Sequence, residues 1–76
     1  MSAINPKHYK AGGLETIDVI RAYTADLQGM KAVCTANVIK YITRWHSKNG
    51  VEDLQKARWY LDYLIDKINK DRKDTT

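Results

Sequence analysis

Three cationic residues, Lys40, Arg44 and Lys48, follow one another at intervals of four residues and run into Asn49-Gly50. If this stretch is helical, the three side chains stack on one face of the helix. Like charges at this spacing repel one another, which costs stability unless an anion lies among them. Arginine offers a phosphate two parallel hydrogen-bond donors and lysine offers a point charge. The ladder of cations therefore predicts an anion-binding helix face.

Residues close to the cationic ladder supply other groups that orient a nucleotide or phosphate ligand. Asn37 supplies an amide and Tyr41 an aromatic ring, both within one helical turn of Lys40. His8 and Tyr9 form a second polar and aromatic cluster near the start of the chain. This clustering favours binding, and by itself it does not indicate catalysis.

Both the ladder and the nearby aromatic residues also have a structural interpretation. The ladder could be a solvated helix face whose cations pair with Glu52 or Asp53 across the following turn, although surface ion pairs contribute little stability. Trp59, Tyr60 and Tyr63 could stack a nucleobase. Aromatic side chains beside a helix seam more often pack against a core, and packing is the favoured interpretation for these three.

Metal chemistry has little support in the residue types present. One cysteine and two distant histidines, Cys34, His8 and His46, do not match the usual spacings of a metal site. A carboxylate cage for Mg²⁺ is an alternative, built from Glu15, Asp18, Glu52, Asp53 and Asp62. Helical nucleotide pyrophosphohydrolases of the MazG type use such acids, but their Glu-Glu-x-x-Glu motif is absent here, and first-turn acids are usually dipole partners. We therefore expect no metal and no cofactor, with Cys34 in the core and His46 on the surface.

Catalytic phosphate-handling motifs are also missing from the sequence. It contains neither a Gly-x-x-x-x-Gly-Lys-Ser/Thr loop nor a Gly-x-Gly-x-x-Gly turn, and no strand is predicted that would carry one. A conventional phosphoryl-transfer enzyme cannot be assembled from these parts alone. Whether the protein is an enzyme stays open at this point.

The size and charge of the chain limit what it can do alone. Its 76 residues form one small domain, which buries only about 60% of its unfolded surface. Since Cys34 is the only cysteine, no internal disulfide can add stability, and oligomerisation is the expected source of further burial. The lack of an apolar run near 18 residues predicts an intracellular protein with no membrane partner. A net charge of +4 favours a local anion site over a nucleic-acid surface, so nucleic acid ranks lower as a partner.

The periodicity of apolar residues predicts an all-α fold, a three-helix unit made of a short helix and a helical hairpin behind an N-terminal arm. The arm covers residues 1–13, the single helical domain residues 14–71, and a frayed tail residues 72–76. The helices are predicted at about residues 14–23, 30–48 and 51–71. Asn49-Gly50 is the predicted stop between the last two, since glycine adopts the left-handed conformation that ends a helix.

Two apolar stripes are predicted to hold the hairpin together. The second helix carries Val33 or Cys34, then Val38, Ile42 and Trp45. The third carries Leu54, Ala57, Leu61, Leu64 and Ile68 at alternating spacings of three and four residues. Together with the aromatic flank, this is more apolar surface than one short partner helix can cover. A homo-oligomer is therefore expected.

Four segments occur in an order that resembles a known family. They are NPKHY at residues 5–9, GLETIDVI at 13–20, NVIKYI-x-R at 37–44 and KNG-x-EDL-x-KA-x-WYL at 48–61. This pattern is similar to a small bacteriophage family of formerly unknown function whose members are often labelled nucleotide-kinase-like. The similarity covers about residues 4–65. One departure is Ala36, where family members commonly have glycine.

The resemblance implies a phage protein that handles a nucleotide or a nucleotide-like anion. The kinase label belongs to a longer phage protein that carries this module as one part, so the chemistry of the module itself stays open. The matching positions that the resemblance carries over as ligand contacts are His8, Tyr9, Asn37, Lys40, Tyr41, Arg44 and Lys48.

Three functions are consistent with the sequence. The first is a helical homo-oligomer in the host cytoplasm that sequesters a host cyclic-nucleotide-type immune signal, acting as a sponge. The second is a nucleotide-metabolising enzyme, either like a nucleoside monophosphate kinase or a Mg²⁺-dependent nucleotide hydrolase. The third is a module that binds a host protein or nucleic acid. Capture is favoured because lysine, arginine, tyrosine and asparagine supply charge, stacking and hydrogen bonds, whereas transfer also needs a positioned metal and excluded water.

Overall fold

The structure, a computed structural model, describes residues 10–11 and 14–74 and confirms the all-α fold. Its three helices are α1 (Thr16–Thr24), α2 (Gly29–Arg44) and α3 (Val51–Asp74). Two short strands, β1 (Lys10–Ala11) and β2 (Leu14–Glu15), pair in antiparallel fashion ahead of α1. The first nine residues of the predicted arm lie outside the described part of the chain.

The first helix starts two residues later than predicted. Leu14 and Glu15 are extended and pair with β1, so the helix begins only at Thr16. Asp18 lies in the first turn and pairs with Arg21 at 3.5 Å. At the other end, the Thr24 hydroxyl donates to the Ile20 carbonyl at 2.7 Å. The third helix differs at its end, which lies at Asp74 instead of residue 71.

The second helix ends at Arg44, and the prediction that it continues to residue 48 was wrong. The Ser47 amide bonds to the Arg44 carbonyl and the Gly50 amide to the Trp45 carbonyl, closing a turn of 2.9 to 3.0 Å bonds. The Gly50 carbonyl then accepts the first amides of α3, from Asp53 and Leu54. The chain must reverse before that point, so the residues after Arg44 leave the helix to make the turn.

Gly50 makes this reversal possible, as predicted, because its φ of +61° is in the left-handed region. We expect Gly50→Ala to lower the free energy of unfolding by about 1 kcal/mol, since a Cβ disfavours this conformation. No atom lies within 4 Å of the added Cβ, so the loss comes from the backbone alone. Urea unfolding measures it, with exposed Gln55→Ala as the control. An unchanged midpoint for Gly50→Ala would contradict this assignment.

The core of the molecule lies between α2 and α3, which form an antiparallel hairpin, while α1 packs against α2. Cys34 is fully buried, as predicted, and faces α3 together with Tyr41. Ala57 and Asp53 are the corresponding buried residues of α3. Among the described side chains the buried apolar ones are Cys34 and Ala57, so this core is small.

Both predicted stripes were partly wrong. On α2, Ile42 is 47% exposed, because the helix is rotated to turn Cys34 and Tyr41 inward. Trp45, which is 38% exposed, follows the end of the helix at Arg44. Val33, the alternative to Cys34, is 43% exposed. On α3, Leu61 is 46% exposed, and Tyr60 takes the inward position beside Tyr41. Large apolar side chains are therefore left on the surface of the hairpin.

The sequence predicts no membrane partner, because it contains no long apolar run. In the described part of the chain, no helix is both long enough and apolar enough to cross a membrane.

Candidate anion-binding site

The three cations of the ladder meet at one groove, although only two of them are helical. Lys40 and Arg44 come from α2 and Lys48 from the turn that follows it. The start of α1 forms the opposite wall of this groove, whose volume is about 330 Å³. Its complete lining is Glu15, Thr16, Ile17, Ile20, Lys40, Arg44, Ser47 and Lys48. The fold thus brings the predicted cations together at the N-terminus of a second helix.

The first turn of α1 adds a partial positive charge to the groove. Its leading backbone amides have no partner within the helix, and no side chain caps them. The aligned peptide dipoles place about half a positive charge at this end. Glu15 contributes one carboxylate nearby, and Ile17 and Ile20 contribute an apolar wall. The groove combines cations, free amide donors and an apolar surface.

Arg44 has a structural role that the ladder alone did not indicate. Its Nε and Nη2 donate to the two carboxylate oxygens of Asp53 at 3.1 and 3.2 Å. Asp53 is fully buried and also accepts the Asn49 backbone amide at 3.3 Å and its side-chain amide at 3.2 Å. The structural interpretation, in which a ladder cation pairs across the turn, is therefore confirmed at Arg44. This pair fastens the end of α2 to the start of α3.

The same hydrogen bonds determine the charge state of Asp53. The bonds from Arg44 hold the pKa of its carboxyl below the ordinary value; burial opposes them and the Asn49 bonds reinforce them. Because the folded-state pKa lies below the unfolded one, this carboxylate stabilises the fold above the unfolded pKa of about 3.9. That stabilisation is lost as the pH falls through the lower, folded-state pKa.

We therefore expect the melting temperatures of the wild type and Asp53→Asn to converge in acid. Near neutral pH the wild type carries the stabilising carboxylate and melts higher. Below about pH 4 the unfolded state binds its proton first, and the gap between the two proteins narrows. Circular dichroism melts from about pH 7 to pH 2 measure this gap. A gap that stays constant across the series would contradict the assigned pKa direction.

Lys40 and Lys48 carry most of the charge left for a ligand. Arg44 is largely neutralised by Asp53, whereas Lys48 is exposed and has no ion pair among the described residues. Lys40 is half-buried, and its Nζ lies 4.9 Å from the centre of the Tyr41 ring. The electrostatic pull of the groove on an anion therefore depends on these two lysines.

Tyr41 is surrounded by cations, two of which line the groove, and its ring lines a second hollow. Besides Lys40, Arg44 Cζ and Lys56 Nζ lie 5.0 and 5.5 Å from the centre of its ring. The ring also stacks on Tyr60, with centroids 6.1 Å apart and planes 16° from parallel. Lys56 pairs at 3.3 Å with Glu52, at an exposed position where such pairs contribute little.

The second hollow is basic and aromatic, and most of its residues were not among the predicted ligand contacts. Its volume is about 300 Å³, and it is lined by Tyr41, Lys56, Trp59 and Tyr60. Trp59 is 59% exposed and stacks on Tyr63 at 5.7 Å. The spacing of Lys56, Trp59, Tyr60 and Tyr63 by three and four residues on one helix was the signal that could have identified this face.

The other predicted ligand contacts are not among the described residues that line the two hollows. Asn37 uses its side-chain amide to donate to the Val33 carbonyl at 3.1 Å, and it lines neither hollow. His8 and Tyr9 lie outside the described residues. His46 is exposed, as predicted, and meets the Trp45 ring edge-on at 5.5 Å.

Two further findings concern other possible sites. Within residues 15–72, no group of three or more histidine, cysteine or acidic side chains is placed to hold a metal ion. A third hollow, of about 600 Å³, lies at the far end of the hairpin and has mixed charge. It is lined by residues 26–31 together with Lys67 and Asp71.

The fold and the site define a small helical-hairpin protein with a basic and aromatic face. Residues 4–62 match the model of the family described as a protein of unknown function (DUF3310), and the chain belongs to that family. No curated protein and no solved structure matches the chain.

Proposed function

We propose that this protein binds a nucleotide or a nucleotide-derived anion on its basic helix face and captures it without turning it over. One observation carries the proposal: Lys40, Arg44 and Lys48 line one groove, and Tyr41, whose ring contacts Lys40 and Arg44, lines an aromatic hollow. A nucleotide has the complementary pair of groups, an anionic phosphate and a planar base.

The phosphate belongs in the groove, beside Lys40 and Lys48. Uncapped amides at the start of α1 add donors of the kind that bind phosphate at helix N-termini. The base belongs against Tyr41 and Trp59, where stacking contributes about 1 to 3 kcal/mol per base. Since Tyr41 contacts Lys40 and lines the second hollow, one ligand can reach both parts.

We also propose the biological setting that the resemblance implies. The protein would come from a phage family whose members are labelled nucleotide-kinase-like, and would act in the host cytoplasm as a homo-oligomer. Its ligand would be a host cyclic-nucleotide-type immune signal, held as in a sponge. A site made mainly of charge, stacking and amide donors supports capture, because these groups hold a ligand without activating it.

Calorimetry against a panel of mono-, tri- and cyclic nucleotides, with and without Mg²⁺, tests this proposal. We expect Mg²⁺-independent binding of at least one nucleotide, and mass analysis of the recovered ligand should show it intact. Inorganic pyrophosphate and an uncharged nucleoside are the matched control ligands, each of which fills only one hollow and should bind more weakly.

Other outcomes identify the competing functions. A ligand recovered in altered form would mean a nucleotide-metabolising enzyme. If every ligand fails to bind, the proposal is wrong, and host proteins and nucleic acid become the candidates. Strongly salt-dependent binding to DNA would then favour the nucleic-acid module.

A further inference from the structure

A second seam of apolar residues runs along α3, on a flank that the hairpin leaves open. Val51, Leu61 and Ile65 on this flank are 65%, 46% and 48% exposed. With the residues between them they form a pattern with alternating spacings of three and four residues, which is the spacing of a coiled-coil seam. The full seam is Val51, Leu54, Arg58, Leu61, Ile65 and Ile68.

Ile42, an exposed apolar residue of α2, lies on the same side of the hairpin. At 100° per residue, Ile42 is displaced from the inward Cys34 in the same rotational sense as Leu61 and Ile65 are from Ala57. In an antiparallel helix pair, equal senses of rotation lead to the same side. The basic and aromatic face is reached by the opposite rotation, so it lies on the other side of the hairpin.

The described residues leave this apolar face uncovered. Among the described apolar side chains Cys34 is fully buried and Ala57 is 6% exposed. The radius of gyration is 14.4 Å, whereas a compact chain of 76 residues has a radius of about 11 Å. Packing against another molecule would cover the face.

We propose that a second copy of this chain covers the face, pairing α3 with α3 in antiparallel fashion about a two-fold axis at Leu61. Leu61 then meets the partner subunit's Leu61, and Leu54 meets the partner subunit's Ile68. With Ile42 of α2 at the edge, the assembly is a four-helix bundle of two hairpins. This interface does not depend on the proposed ligand, because the basic and aromatic faces remain outside.

The charges on the seam select this direction of pairing. In a parallel dimer Arg58 would meet the partner subunit's Arg58, and like charges directly opposite destabilise. In the antiparallel arrangement Arg58 packs beside the partner subunit's Ile65, next to the partner subunit's Asp62. An isologous two-fold interface needs this self-complementarity.

Sedimentation equilibrium of the full chain tests the dimer. We expect a dimer for the wild type and at least a 100-fold weaker association for Leu61→Glu. Trp59→Glu is the matched control, because Trp59 is more exposed but lies on the other face; it should stay a dimer. A monomeric wild type, or a dimer broken by Trp59→Glu and not by Leu61→Glu, would overturn the proposal.

Spin-label distances test the direction of pairing without disrupting the seam. Single labels at Asp62→Cys and Asn69→Cys, each in a Cys34→Ala background, share one heptad position. Antiparallel pairing makes the separation along the helix axis about 20 Å larger for the 69–69 pair than for the 62–62 pair, from 1.5 Å of rise per residue on each helix, so the 69–69 distance is clearly the longer one. Equal distances would mean parallel pairing and would overturn the antiparallel interface.

Discussion

Replacing Asp53 with alanine will lower the melting temperature by about 10 to 20 °C. Asp53 is fully buried and accepts hydrogen bonds from Arg44 and Asn49, which come from the end of α2 and from the turn. Its removal leaves the partly buried guanidinium and the turn amides without their acceptor, and breaking a buried pair is far more costly than losing a surface one. Circular dichroism melts measure the effect.

Two further variants show whether the pair is responsible. Asp66→Ala removes an exposed acid from the same helix and should leave the melting temperature within about 3 °C. Arg44→Met leaves the buried Asp53 carboxylate without its cationic partner. It should lower the melting temperature by about as much as Asp53→Ala does. The double variant Asp53→Leu with Arg44→Met leaves no unpaired charge and should melt above Arg44→Met. Equal melting temperatures for wild type and Asp53→Ala would contradict the role of this pair.

The second large effect is on ligand affinity: Lys40→Gln combined with Lys48→Gln will weaken nucleotide binding about 100-fold. Each lysine that contacts a phosphate contributes about 1.5 kcal/mol, and two such losses correspond to about two factors of ten. The free energy of unfolding should stay within about 1 kcal/mol of the wild type, because neither lysine has an ion pair among the described residues and the variant loses only the contact of Lys40 with the Tyr41 ring.

A control for net charge distinguishes a local site from a general attraction. Lys31→Gln combined with Lys70→Gln removes the same charge from exposed positions outside the groove and the aromatic hollow, and should leave affinity within about threefold. Equal losses in the two double variants would mean a nonspecific electrostatic effect. Arg44→Ala is unsuitable for this test, because it would unfold the turn through Asp53 as well as removing a cation.

Local signals in the sequence sufficed to predict the helices. They did not predict which helix face packs inward where two faces of one helix have the same periodicity of apolar residues. Gly50 was identifiable because few residues adopt its φ of +61°. The face of α3 that packs on α2 could not be identified in this way. Leu54, Leu61 and Ile68 repeat as regularly along the helix as the residues that the structure turns inward. The inward face of α3 begins with a buried aspartate, Asp53. A pattern of apolar residues alone therefore does not identify this face.

The candidate site depended still more on tertiary structure. The spacing of Lys40, Arg44 and Lys48 predicted that these cations would lie together, and they do, but Lys48 reaches the groove from a turn. The wall formed by the start of α1 could not be predicted, because nothing local fixes where α1 packs on α2. Pairing of a ladder cation with Glu52 or Asp53 was one interpretation of the sequence, but no spacing rule showed that the pair would be Arg44 with Asp53.

The most direct test of nucleotide capture at this face is a titration of isotope-labelled protein with adenosine monophosphate and a cyclic nucleotide, followed by amide NMR. We predict that the largest shifts fall on the amides of Thr16, Lys40, Tyr41 and Lys48 and on the indole of Trp59. Trp45, whose side chain lines neither the groove nor the aromatic hollow, is the internal control. Shifts confined to the far hollow at residues 26–31, or no shifts at all, would contradict the proposed site.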